Sequence, residues 1–275
     1  MWALREKKFK IVHTFEMGHD FVLFMNRHSI SDEKWKQIEP ILAPRKKETR
    51  GRKPKDSRLM FNGILWILKT GAPWRDLPER FGPWQTVYKR FAKWTSLAAW
   101  DGLLSNVAKN QDKEAGMIDG SYVKLHQHGC GARGGQYSQA IGRSRGGLTT
   151  KIHAVVDGLG NPVQIKLTGG NVHDMVPSYE LMAGIEVDQF LADRAYDTDK
   201  LIEIAESKGS KVIIPSRKNR TVQRKIDKHL YKERHLVECF FAKIKSCRRV
   251  SARFEKLASS YHVMVLIASC LVWLA

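Results

Sequence analysis

The feature that most constrains this chain is a change of texture near Glu114. Before it, apolar residues recur at helical spacing. After it, β-branched and apolar runs alternate with helical patterns, which commits the second half to a sheet covered by helices. The spacing predicts strands at 116–125, 148–157, 162–168, 188–193 and 211–215. Helices are expected at 174–184, 198–208, 228–250 and 257–274. Asp157-Gly158-Leu159-Gly160-Asn161-Pro162 reads as the hairpin turn between the second and third strands.

Three meandering strands, then strand and helix alternation, then a long helix is the order of an RNase H-like domain. The expected fold over 114–275 is therefore α/β, a mixed five-stranded sheet flanked by helices. Ahead of it, residues 25–105 read as an all-α, helix-turn-helix-like domain. Ser31 caps a helix running to about Leu42 and burying Trp35, Ile38 and Leu42. A second helix spans 58–70 and ends at Gly71-Ala72-Pro73; a short one covers Leu77–Phe81; a third runs from Trp84 to about Leu97. Residues 1–24 carry no periodic pattern and are expected to form a poorly ordered extension.

Charge narrows the partner. With 47 Lys and Arg against 28 Asp and Glu, the formal net charge is +19, an excess that a polyanion such as DNA would neutralise. The uncharged run Tyr261 to Ala275 is shorter than the ~18 residues that suggest a spanning helix, so no membrane is expected. Glu16, His19 and Asp20 interrupt any signal-peptide core, and the four cysteines form no CxxC pair. Both point to a cytoplasmic, nucleoid-associated protein with reduced thiols.

Basic residues cluster in four places. The linker 43–57 contains Arg50-Gly51-Arg52-Lys53-Pro54, which suits an arm in a DNA minor groove or, equally, a solvated connection. On the helix from Trp84, one face holds Trp84, Val87, Tyr88, Phe91 and Trp94. The other holds Gln85, Thr86, Lys89, Arg90 and Lys93, groups that read base edges or grip phosphates, with no acid among them. Arg133, Arg143 and Arg145 lie in a glycine-rich loop whose GxGxxG count is followed by no helix. Arg217, Lys218, Arg220, Arg224 and Lys225 precede the long helix and are expected to touch DNA.

Acidic residues mark the chemistry. Asp119 lies in the first strand and Asp193 closes the fourth; in an RNase H-like sheet these strands are neighbours, and ligands bind at strand ends. The plainer alternative has Asp119 turning with Gly120 and Asp193 pairing with Arg194. Glu238 weighs against it. On the helix from His229, Tyr231, Arg234, Glu238 and Lys245 fall within an arc of about 60°. A salt-bridge ladder would explain the charges but does not require the tyrosine. Three carboxylates from separate elements would suit hard divalent ions, Mg²⁺ or Mn²⁺. Asp174 and Asp197 are expected to cap helices instead.

The run Tyr231-x-x-Arg234-x-x-x-Glu238-x-x-x-x-x-x-Lys245 matches the Y-(2)-R-(3)-E-(6)-K signature of DDE transposases of the insertion sequence 4 and insertion sequence 5 families, and the chain resembles the latter type most closely. Gly71-Ala72-Pro73-Trp74-Arg75-Asp76-Leu77-Pro78, the stretch from Gln139 to His153, Thr168-Gly169-Gly170-Asn171-Val172-His173-Asp174, Leu191-Ala192-Asp193-Arg194-Ala195-Tyr196-Asp197 and the stretch from Lys228 to His235 add to the likeness, which covers roughly 25–275. The resemblance implies that Asp119, Asp193 and Glu238 form a catalytic triad holding two ions. It also implies binding of the element's terminal repeats, divalent-metal-dependent cleavage and strand transfer, and a dimer or larger assembly on DNA. Two rivals remain at this point: a catalytically silent DNA-binding regulator, and an RNase H-like nuclease without strand transfer.

Overall fold

The structure, a computed structural model, describes residues 28–42 and 55–275. The extension at 1–24 and most of the basic linker, including Arg50 and Arg52, lie outside the described residues.

Seven strands form one sheet: β1 (Ala115–Leu125), β2 (Gly142–Ser144), β3 (Gly147–Asp157), β4 (Pro162–Gly169), β5 (Gln189–Leu191), β6 (Lys211–Ile213) and β7 (Ala252–Arg253). The five main ones lie in the order β4-β3-β1-β5-β6. β3 runs antiparallel to both β1 and β4, while β5 and β6 run parallel to β1. That is the RNase H-like arrangement, with the first strand central. The sheet has seven strands rather than the expected five. β2 and β7 span only three and two residues, too short to leave an alternating pattern in the sequence.

Strand alternation sorts the core into two layers. Met117, Ile152, Ala154, Val156 and Leu191 face one side; Ile118, Val155, Phe190 and Ala192 face the other.

The helices are α1 (Asp32–Leu42), α2 (Ser57–Thr70), α3 (Trp84–Ser96), α4 (Ala99–Val107), α5 (Gly135–Ser138), α6 (Met175–Ala183), α7 (Asp199–Ser207), α8 (Lys228–Lys232), α9 (His235–Lys245), α10 (Arg248–Ser251) and α11 (Ala258–Trp273). Trp35, Ile38 and Leu42 are buried in α1 as expected, and Ser31 Oγ accepts from Lys34 N at 3.4 Å. Asp56 caps α2, and Gly71, at φ 73°, closes it in the left-handed conformation. Two 3₁₀ turns, Trp74–Asp76 and Glu79–Phe81, fill the connection to α3, so it is longer than the turn of roughly three or four residues in a compact helix-turn-helix. Sequence spacing misses α4, whose Trp100 and Leu103 are fully buried. Among the described residues no helix is long and apolar enough to cross a membrane.

The long helix expected over 228–250 is broken twice. At the first break, Leu236 N bonds Glu233 O and Val237 N bonds Arg234 O, so a tightened turn of i→i+3 bonds separates α8 from α9. At the second, Cys247 is extended (φ −79°, ψ 110°). Residues of the N-terminal helices and of the sheet's first layer belong to one apolar cluster, from Ile30 through Trp100 to Leu274.

Candidate active site

β1 and β5 bring two acids together by register. Met117 pairs with Leu191, so the next residues on the same face are Asp119 and Asp193. This is also the face that carries Met117 and Leu191 into the cluster holding Val237, Phe240 and Ile244 of α9. Burying that apolar stripe of α9 against the sheet leaves Glu238 and Arg234 at the edge, beside Asp119.

Asp119 Oδ1 accepts from Gly120 N at 2.7 Å, and Oδ2 lies 3.4 Å from Arg234 Nη1. Arg234 Nη2 bonds Glu238 Oε1 in turn. Asp193 Oδ1 accepts from Ala195 N at 2.8 Å, which caps the 3₁₀ turn Arg194–Tyr196. Asp119 does bond Gly120, but inside β1 rather than at a turn, and Asp193 caps Arg194–Tyr196; the Arg234–Glu238 pair of the salt-bridge ladder is present and reaches Asp119.

Burial pushes the Asp119 carboxyl above its usual pKa. The Gly120 N–H and Arg234 oppose this, and the nearby charges of Asp193 and Glu238 add to it. Burial works against the Arg234 charge too, yet Glu238 and Asp119 hold its pKa above the ordinary value. Among the described residues, no three His, Cys, Asp or Glu side chains are arranged to hold a metal ion. Arg234 stands between two of the carboxylates. The donor set still fits a hard divalent cation: its members are carboxylates that repel one another around a partly buried Asp119.

Other residues singled out from sequence fall into three groups. Lys245 joins the site's margin, its Nζ donating to Ser121 Oγ (2.6 Å) and Tyr122 O (3.1 Å), and burial lowers its pKa. Tyr231 is half-buried against the core. On α3, Gln85, Lys89 and Lys93 are exposed and Thr86 is half-exposed; Arg90 donates to Ser57 Oγ (2.9 Å) and lies over Trp94. Arg143 and Arg145 are exposed on the β2–β3 hairpin, lining a concavity with Tyr122, Lys124 and Asn171.

The run after β6 turns inward. Arg217 Nη2 donates to Ala195 O (2.6 Å), and Arg220 pairs with Asp197 (2.7 Å) and Asp199 (2.6 Å). Asp197 does not cap α7, as its position suggests; Thr198 does. Its side chain is fully buried and bonded by Arg217 N, Arg220 and Arg224. Burial works against its charge, but those donors hold the carboxyl below its usual pKa. Asp174, expected to cap α6, makes no side-chain cap bond and instead receives Lys151 Nζ at 2.8 Å.

Sequence reasoning missed the layer behind Asp119. Lys151 and His153 are buried on the opposite face of the sheet, around Asp174. His153 Nε2 lies 2.8 Å from Thr168 Oγ1, and burial lowers its pKa to about 4. The available signal was Thr-Lys-Ile-His inside an otherwise apolar strand covered on both faces. Tyr196 is buried too, and its hydroxyl has no hydrogen-bond partner among the described residues; burial, with Asp119, Asp174 and Asp193 nearby, raises its pKa.

A central first strand, antiparallel to β3 on one side and parallel to β5 on the other, defines an RNase H-like domain. The family models say which class it belongs to. The family model for transposases of the IS4/5 family matches residues 30–104, and that of the transposase DDE domain matches 110–273. A Brucella ovis protein named as a transposase for insertion sequence element IS6501 is 40% identical over 129 residues, 46% of this chain and 99% of that one. A protein of insertion element IS402 from Burkholderia cepacia is 46% identical over 61 residues, covering 21% of this chain and 42% of its own length. Among solved structures, the piggyBac transposase synaptic complex with hairpin DNA aligns at 14% identity and a TM-score of 0.40, covering 72% of this chain and 51% of that one. The chain belongs to the IS4/5 family of DDE transposases.

Proposed function

We propose that this transposase binds the terminal inverted repeats of its insertion sequence, cleaves DNA there and joins the freed end to target DNA. The carrying observation is the register Met117↔Leu191, which sets Asp119 and Asp193 on one face of adjacent parallel strands, with Glu238 reached through Arg234. These three carboxylates would hold Mg²⁺ or Mn²⁺, two ions by the family's chemistry. When bound, such ions activate water and stabilise the oxygen that leaves phosphorus.

The chain's own residues supply positioning. Arg234 and Lys245, on either side of Glu238, would grip the phosphates flanking the scissile bond, and Tyr231 would support the strand from the same margin. Water attack at phosphorus releases the element's 3′-OH, which then attacks a target phosphodiester. One site can serve both steps because oxygen nucleophile and oxygen leaving group exchange roles. Gln85, Thr86, Lys89, Arg90 and Lys93 on α3, together with Arg50 and Arg52 of the linker, would recognise the repeat; Arg143 and Arg145 would contact the flanking duplex, while Arg217 and Arg220, already engaged by Ala195, Asp197 and Asp199, would order the segment that leads into α8. Residues 25–105 thus act mainly in end recognition and 114–275 in chemistry. Synapsis of two ends calls for a dimer or larger assembly.

Asp193→Asn preserves shape while removing charge. It is expected to lower Mg²⁺-dependent nicking of the DNA flanking the reading frame by at least about a hundredfold, leaving binding of that DNA largely intact. Undiminished nicking would sink the assignment. Pre-cleaved 3′-OH ends offered to a target duplex test joining separately.

A further inference from the structure

Arg234 sits where the carboxylates need a cation. Its Nη1 lies 3.4 Å from Asp119 Oδ2 and its Nη2 bonds Glu238 Oε1; these two acids are its ion-pair partners among the described residues. The side chain is 19% exposed, so most of it is already withdrawn from water, while Glu238 is 56% exposed and free to change rotamer. The residue stands at the tightened turn just ahead of α9, not within a regular helix.

A guanidinium on those oxygens uses the lone pairs a metal would use and places a like charge next to the incoming ion. Its strongest rival for Arg234 is a phosphate, whose oxygens match the planar fork as well as a carboxylate does.

We propose that Arg234 is the resident counter-cation of Asp119 and Glu238, which a divalent ion must displace, and that a DNA phosphate opens the site by drawing the guanidinium away. The inference rests on the assignment of those carboxylates as ion ligands. DNA and metal then bind with positive coupling, and each tightens the other by the same factor. Without DNA the ion binds the site more weakly.

Mn²⁺ binding to the full chain, followed by electron paramagnetic resonance with and without a mixed-sequence duplex, tests this. In the wild-type protein DNA tightens Mn²⁺ on the order of tenfold. Arg234→Gln binds Mn²⁺ about that much more tightly without DNA, and the duplex then adds less. Arg234→Lys keeps the charge and the weak DNA-free affinity. Lys243→Gln removes an equal charge from an exposed lysine of α9 outside the proposed site, and behaves as wild type. If Arg234→Gln gains nothing, or Lys243→Gln gains as much, the proposal is overturned. Asp119→Asn separates the two readings: loss of Mn²⁺ binding upholds the ligand assignment even where Arg234→Gln shows no gain. Unchanged binding in Asp119→Asn removes the assignment and the proposal together.

Discussion

Gly120 shows how little space separates the proposed chemistry from its support. A Cβ there would lie 3.1 Å from His153 Nδ1 and 3.3 Å from Asp174 Oδ1, so the smallest side chain lets the buried polar layer reach the back of β1. His153 in that layer makes stability depend on pH. Its folded pKa is about 4, below the ordinary imidazole value of 6.5, so between those values the unfolded chain binds a proton that the folded one refuses. Stability is therefore fully present above pH 6.5 and falls as pH drops towards 4, by at most about 3 kcal/mol from this residue. Thermal unfolding of His153→Gln beside wild type is expected to show a flatter profile across that window; parallel profiles would remove His153 as the cause. At this scale the acids were legible because strand ends and helical spacing are local. The capture of Arg220 and Arg224 by Asp197 was not, since the partners lie 23 and 27 residues away across a loop with no periodicity.

Among the elements, α2 and α10 join the two halves of the chain. Arg249, on α10, pairs with Glu255 at 2.6 Å and donates to the Gly71 and Ala72 carbonyls at the end of α2. Gly71 makes this approach possible: at φ 73°, a Cβ would stand 2.9 Å from Arg248 Cβ. Gly71→Ala adds left-handed strain of about 1–2 kcal/mol, and the collision adds to it. Urea unfolding is expected to report a loss of about 2 kcal/mol or more, and unchanged stability would mean that the helices do not pack this closely. Apolar spacing located α2, α3, α6, α7 and α11, because each buries a continuous stripe or is buried throughout. It could not find the break between α8 and α9, because the tightened turn keeps nearly helical backbone and leaves the apolar spacing intact.

Over the whole molecule, a shared apolar cluster ties the N-terminal helices to the sheet, while a net charge of +19 remains for the surface. If the exposed face of α3 grips phosphates, binding must weaken with salt, because each contact releases about 0.9 counterion. Lys89→Ala combined with Lys93→Ala is then expected to reduce the slope of log K against log salt by about two. Titrations at several salt concentrations measure it, and an unaltered slope would place the DNA elsewhere. The strand order was legible from the pattern of turns and crossovers. How the helical half would sit on the sheet was not, because apolar helices such as α2 and α11 advertise burial without naming a partner.

The sequence by itself determined the main strands and helices and which acids lie on or beside them, since both follow from periodicity along a few residues. The meeting of Asp119 with Asp193 follows from the pairing register of β1 and β5. The seating of Arg234 between Asp119 and Glu238 depends on a turn that only the packed helix enforces. Those were decided by the tertiary structure, because contacts between residues far apart in the chain depend on how buried faces match, and no local pattern encodes that match.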